Sequence, residues 1–231
     1  MSIAENIAQV RTNIAQACAQ AGRSPEEITL VGASKMNDAA ACREAIAAGI
    51  DALGENRVQE MTAKLADNAY DGAPLHFIGH LQRNKVKQVV GKVALIQSVG
   101  SMELLEEIEK VAAREQLVQD ILLEVNIGRE EAKSGFDPDA VTAAAEAALS
   151  LPHVRVRGLM TIPPADADRD ANMRYFQEVQ ALYVDINTKL FHNKLEYLSM
   201  GMSGDYMDAI SCGATMVRVG TAIFGARNYN I

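Results

Sequence analysis

Eight short runs of β-branched and other apolar residues, at 28–34, 52–55, 75–80, 94–99, 121–127, 154–162, 195–200 and 216–220, alternate with longer stretches of helical spacing. The helical stretches include 38–48, 57–68, 101–114, 138–149, 172–191 and 205–212. Parallel strands need a long crossover between them, so strict strand–helix alternation implies a parallel sheet covered by helices. Eight such units without a long linker predict a closed (β/α)8 TIM barrel, read as one domain over residues 1–231. A doubly wound open sheet is the alternative, because periodicity does not report closure. Ahead of the first run, Ile3, Ile7, Val10, Ile14 and Cys18 recur at helical spacing and predict an extra amphipathic N-terminal helix. Polar residues interrupt it, unlike a signal peptide or membrane span.

A net charge of −8 and a pI near 5.1 argue against nucleic acid or an anionic membrane as partner, since either would repel the overall field. Cys18, Cys42 and Cys212 are widely spaced and form no CxxC pair, which reads as reduced thiols in a cytoplasmic protein without a metal site.

In such a barrel the carboxyl ends of the strands share one face, and loops after the seventh and eighth strands commonly hold phosphate. Here those loops are Ser199-Met200-Gly201-Met202-Ser203-Gly204 and Gly220-Thr221-Ala222. Ser199, Ser203 and Thr221 offer hydroxyls, while Gly201, Gly204 and Gly220 let backbone N–H groups approach an anion. Ser203 also stands where it would cap a helix beginning near Asp205, although Asp205 itself opposes an anion there. Lys35, the only lysine of the first sixty residues, ends the first strand run and would face those loops across the barrel mouth.

An amine opposite two phosphate-type loops points to a covalently held phosphorylated aldehyde, with pyridoxal 5′-phosphate (PLP) as the candidate cofactor and Lys35 as its imine carrier. Imine formation needs a neutral amine, and a free lysine has a pKa of about 10.4, so the site must desolvate it or place a cation nearby. Alternation along 216–220 puts Met216, Arg218 and Gly220 on one face and Val217 and Val219 on the other. With the valines against the helices, Arg218 points inward, where it needs a carboxylate such as Glu124 or Glu55, or an acceptor on the ligand. An always-protonated guanidinium facing a pyridine nitrogen would leave that nitrogen unprotonated and weaken PLP as an electron sink.

Other polar residues carry weaker signals. Asn56 either contacts the cofactor or caps the helix near Arg57. His76, Ile78 and His80 would share one face of the third strand; without a third ligand these histidines read as hydrogen-bonded barrel residues. Asn126 could reach the mouth from the fifth strand, and Lys133 reads as a surface or anion-contacting residue. The polar segment 163–170 reads as a connecting loop.

Taken together, the sequence resembles the PLP homeostasis protein family over nearly its whole length. The resemblance rests on Val31-Gly32-Ala33-Ser34-Lys35, Gly54-Glu55-Asn56-Arg57-Val58-Gln59-Glu60, His76-Phe77-Ile78-Gly79-His80-Leu81-Gln82-Arg83-Asn84-Lys85, Ser134-Gly135-Phe136, Gly158-Leu159-Met160-Thr161-Ile162-Pro163, Leu198-Ser199-Met200-Gly201-Met202-Ser203 and Val217-Arg218-Val219-Gly220-Thr221-Ala222-Ile223-Phe224-Gly225. It implies a barrel like the N-terminal domain of alanine racemase, of PLP fold type III, with PLP as an imine on Lys35. Its phosphate would lie in the loops at Ser199–Ser203 and Gly220-Thr221, with Arg218 at the ring nitrogen. Members often follow the imine lysine with a second lysine and a proline; this chain has Met36-Asn37-Asp38.

Three functions compete: a carrier and regulator of PLP and amino-acid pools, a PLP-dependent racemase, and a PLP-free barrel enzyme using Glu124 and His80 on a sugar phosphate. Racemases of this fold add a β-rich domain and an acid–base tyrosine. Eleven residues follow Gly220, and no motif places Tyr206 or Tyr229 opposite Lys35, so the carrier is the expectation. It carries no catalytic residues and no efficient racemase or decarboxylase activity. Its partners would be B6 vitamers and transient PLP-accepting apoenzymes, and it would be a monomer.

Overall fold

A computed structural model describes residues 1–225. Eight strands close into a parallel barrel in sequence order: β1 (Thr29–Ala33), β2 (Ala52–Glu55), β3 (Leu75–Phe77), β4 (Leu95–Val99), β5 (Gln119–Val125), β6 (Val154–Thr161), β7 (Tyr197–Ser199) and β8 (Met216–Val219). Closure rests on β1 pairing with β8, with Thr29 opposite Met216 and Gly32 opposite Val219. The barrel is therefore observed, and the open-sheet alternative falls.

The helices are α1 (Ile3–Gln20), α2 (Ala39–Ala47), α3 (Val58–Ala66), α4 (Met102–Arg114), α5 (Val141–Ala148), α6 (Arg169–Leu190), α7 (Tyr206–Ser211) and α8 (Thr221–Phe224). Between β3 and β4 a 3-10 segment, Arg83–Gln88, takes the place of a helix and buries Val86. Start signals are local: Ser2 forms a capping box with Glu5, and Asp38, Ser101 and Asp168 accept N–H groups from the first turns of α2, α4 and α6. Capping by Asp168 starts α6 at Arg169, so the segment expected as loop through 170 is helical in its last two residues.

Alternation divides the core in two. Val31, Ala52, Leu95, Leu122, Met160 and Met216 pack together inside the barrel, while Leu30, Leu53, Val217 and Val219 belong to the larger cluster shared with the helices. The valines of β8 thus face the helices, as their spacing predicts. The third strand is shorter than expected. Ile78 N–H still donates to Glu55 O at 2.8 Å, but Gly79 then presses on Asn56, where a Cβ would lie 2.3 Å from the Asn56 carbonyl oxygen. The chain bends away and leaves His80 exposed beyond the sheet. All three cysteines are free and buried. Among the described residues no helix is long and apolar enough to cross a membrane.

Candidate functional site at the barrel mouth

β1 delivers Lys35 to the carboxyl end of the barrel. Ser34 is buried, its N–H donating to Gly54 O at 3.0 Å, and Asn37 N–H closes a turn on Ser34 O at 3.1 Å. Half-buried Lys35 sits in that turn and lines a cavity of about 250 Å3 with Asn56, Ser203, Gly204, Arg218, Gly220 and Thr221. Strands β1, β2, β7 and β8 therefore bring together six of the eight residues singled out by sequence. Ser199 and Gly201 stand outside that wall.

Arg218 projects into the barrel, as alternation along β8 requires. Its Nη1 donates to Ser199 Oγ at 2.5 Å and its Nη2 to Thr161 O at 2.9 Å. No carboxylate among the described residues forms an ion pair with it; the expected partner Glu55 points to the outside of the barrel, against α3. Burial pushes the guanidinium down to about 10, against the opposing pull of Glu124 and Asp205, so it stays a cation near neutral pH.

Ser199 is a correction. Fully buried, it accepts from Arg218 and donates to Gln97 Oε1 at 2.7 Å, so its hydroxyl supports the guanidinium from below instead of lining the Lys35 cavity. Gln97 was not singled out by sequence. A glutamine inside β4, on the same face as the apolar Leu95, was the available signal. Its Nε2 lies 2.9 Å from His76 Nδ1, which must accept, placing the His76 proton on Nε2. Burial lowers the His76 pKa to about 4, so the ring is neutral, and the directed chain Arg218–Ser199–Gln97–His76 runs across the barrel.

Loop chemistry also differs from expectation at Ser203 and Gly201. Ser203 Oγ accepts from Gly220 N–H at 3.2 Å and Ala222 N–H at 3.3 Å, tying the loop to α8; α7 starts without a side-chain cap, and Asp205 Oδ1 accepts the Met202 N–H of the preceding loop at 2.6 Å. Gly201, at φ +90°, serves packing: a Cβ there would come within 2.6 Å of Ala209 Cβ and 2.9 Å of Tyr206 Cα. Gly204 and Gly220 are different. A Cβ on Gly204 would meet nothing within 4 Å, and one on Gly220 only ordinary contacts at 3.5 Å, so protein packing does not demand their smallness and it widens the cavity. Asn56 Oδ1, on the same wall, is buried with no protein donor. A cavity offering an amine, an inward guanidinium, a loop hydroxyl and an unpartnered amide oxygen fits a phosphorylated, ring-bearing aldehyde.

A second cavity of about 230 Å3 shares Ile78 and Ile162 with the first and is lined by His80, Glu124, Asn126, Lys133 and Ser134. Burial raises the Glu124 pKa, and its Oε2 accepts from Ser134 Oγ at 3.1 Å. Lys133 pairs with Glu130 at 2.5 Å, and Asn126 Nδ2 donates to Glu130 O at 2.9 Å. Among the described residues no group of His, Cys, Asp and Glu could hold a metal ion. Tyr206 is turned away: buried against α1, its hydroxyl accepts from Asn13 Nδ2 at 2.8 Å. Tyr229 lies outside the described residues.

A family described as alanine racemase, N-terminal domain, matches residues 6–228. A pyridoxal phosphate homeostasis protein of Aquifex aeolicus is 42% identical over 229 residues, covering 99% of this chain and 100% of its own. The chain belongs to the pyridoxal phosphate homeostasis protein family. Within that family's fold, PipY of Synechococcus elongatus, solved with PLP bound, superposes with a TM-score of 0.85 at 33% identity, covering 97% of this chain and 100% of its own. An alanine racemase of Clostridium difficile shares the fold, with a TM-score of 0.73 at 17% identity over 99% of this chain and 58% of its own.

Proposed function

We propose that this member of the family binds PLP in the cavity at the barrel mouth, as an imine on Lys35, and acts as a monomeric intracellular carrier and regulator of PLP and amino-acid pools. The observation that carries the reading is the convergence of Lys35, Arg218, Ser203, Gly220 and Thr221 on one cavity at the carboxyl ends of the strands. PLP, when bound, would supply an aldehyde able to condense with a neutral lysine amine with loss of water, and Lys35 would hold it. Thr221 and the backbone of the Ser203–Gly204 and Gly220–Thr221 loops would hold its phosphate. Asn56 and Arg218, the latter held from below by Ser199, would hold its ring.

A permanently charged Arg218 facing the ring nitrogen would keep a proton off it and limit the ring as an electron sink. Among the described residues that line the cavity there is no tyrosine and no carboxylic acid to return a proton from the face opposite Lys35. Both features favour holding PLP over racemising amino acids with it, and transfer to PLP-accepting apoenzymes follows from a reversible imine.

Borohydride reduction of the PLP-loaded protein followed by peptide mapping tests the reading. The pyridoxyl adduct is expected on Lys35; a major adduct on another lysine, or no visible imine absorbance before reduction, would overturn it.

A further inference from the structure

Behind the Lys35 turn, on the outer side of the barrel wall, lies a buried charged cluster that the cavity does not include. Glu55 Oε1 accepts from Ser34 Oγ at 2.6 Å, Lys64 Nζ at 2.7 Å and Tyr70 OH at 3.1 Å. Lys64, reaching in from α3, places its ammonium protons on Glu55 Oε1, on Glu60 Oε1 at 2.7 Å and on the Ser34 carbonyl at 2.9 Å. Glu60 Oε1 in turn accepts the Met36 N–H at 2.5 Å.

Both neighbours of Lys35 are thus gripped by one helix: Ser34 through its carbonyl, and Met36 through its amide. That turn needs a grip. Met36 has φ +62°, a left-handed conformation that a long side chain disfavours and that persists only where the surroundings impose it. Apolar side chains could fill the space between β2 and α3 with equal or better stability, so packing alone does not account for three charged groups there.

We propose that Glu60 and Lys64 are positioning residues for Lys35, fixing the backbone on either side of it so that its amine is presented to the cavity. The proposal rests on reading Lys35 as the PLP lysine. Holding the nucleophile in reacting geometry favours covalent capture without touching phosphate or ring contacts, so the cluster should affect only ligands that carry the aldehyde.

The test compares PLP with pyridoxine 5′-phosphate, which has an alcohol in place of the aldehyde, by calorimetric titration of the full chain. Glu60→Ala removes the acceptor for Met36 N–H but leaves Lys64 paired with Glu55. It should weaken PLP binding by about tenfold or more while leaving pyridoxine 5′-phosphate within about twofold, the loss expected for one charge-assisted bond. Glu60→Gln keeps an acceptor oxygen and should restore most of the PLP affinity. The paired change Lys64→Met with Glu55→Gln releases Ser34 and leaves only the partly exposed Glu60 without its cation, and should show the same aldehyde-selective loss if Glu60→Ala folds poorly. Equal losses for both ligands, or unchanged PLP binding in either variant, would overturn the positioning role. Lys35→Ala, run alongside, should abolish the preference for PLP over the alcohol. If it does not, the imine assignment itself fails; if it does and Glu60→Ala behaves as wild type, only the positioning role fails.

Discussion

Two buried polar networks, one outside the barrel wall and one inside it, balance their charge differently. Outside, the Lys64 ammonium meets two carboxylates, Glu55 and Glu60, at 2.7 Å each. Inside, among the described residues, the Arg218 guanidinium donates to the Ser199 hydroxyl and the Thr161 carbonyl and forms no ion pair, with Gln97 and His76 behind Ser199 and Glu124 and Asp205 pulling from farther off. The outer cluster supplies its own counterions, whereas the inner one leaves a desolvated cation on the wall of the Lys35 cavity. A buried cation without a counterion is costly to keep. The contrast separates a network that balances its own charge from one that, on the function proposed above, an acceptor on the ligand would complete.

The largest test of this contrast breaks the outer network. Lys64→Leu leaves Glu55 buried without its cation and should destabilise the protein by about 3–5 kcal/mol in equilibrium urea unfolding. Adding Glu55→Gln should recover much of that loss; if it recovers nothing, the charge balance is not what holds this region. Burial raises the Glu55 pKa even with Lys64 beside it, so the carboxylate is already costly to keep ionised.

The inner network is tested by pH. His76 takes its proton at about 4 in the folded protein against an ordinary 6.5, so as pH falls from 6.5 the unfolded chain binds the proton first. Stability is therefore present above 6.5, drains away as pH falls through that window, and is fully lost below about 4, a total of about 3 kcal/mol. His76→Gln should flatten the pH dependence of unfolding between those limits; an unchanged slope would show that His76 is not held neutral.

The smallest effect sharpens the distinction itself. Arg218→Met should lower PLP affinity by about 1.5–3 kcal/mol, the usual worth of a hydrogen bond from a charged group, while leaving the stability of the ligand-free protein equal or higher. Thermal melts with and without PLP measure both. Steep destabilisation with unchanged affinity would make Arg218 a structural cation and erase the difference between the networks.

Much of the site is written locally. Arg218 faces inward because β8 alternates, and Lys35 reaches the mouth because it lies two residues beyond the end of β1. The loops after β7 and β8 follow from the strand count. Sequence reading misses residues whose partners are distant along the chain. Gln97 meets Ser199 across a separation of 102 residues, and Lys64 meets Ser34 across 30. Lys64, not singled out by sequence, has a side chain only 8% exposed. Ser199 and Ser203 are both read as loop hydroxyls, but burial assigns one to Arg218 and the other to the start of α8.

By itself the sequence determined the order of strands and helices, the faces that the residues of β8 take and the small-residue loops, because these depend on periodicity and on neighbours a few residues away. Tertiary structure alone decided that the sheet closes, that β3 ends at Phe77, that Glu55 pairs with Lys64 and not with Arg218, and that Arg218 keeps its charge among neutral partners. Those outcomes depend on which groups meet after closure and how much water is removed from each, and neither is set by local sequence.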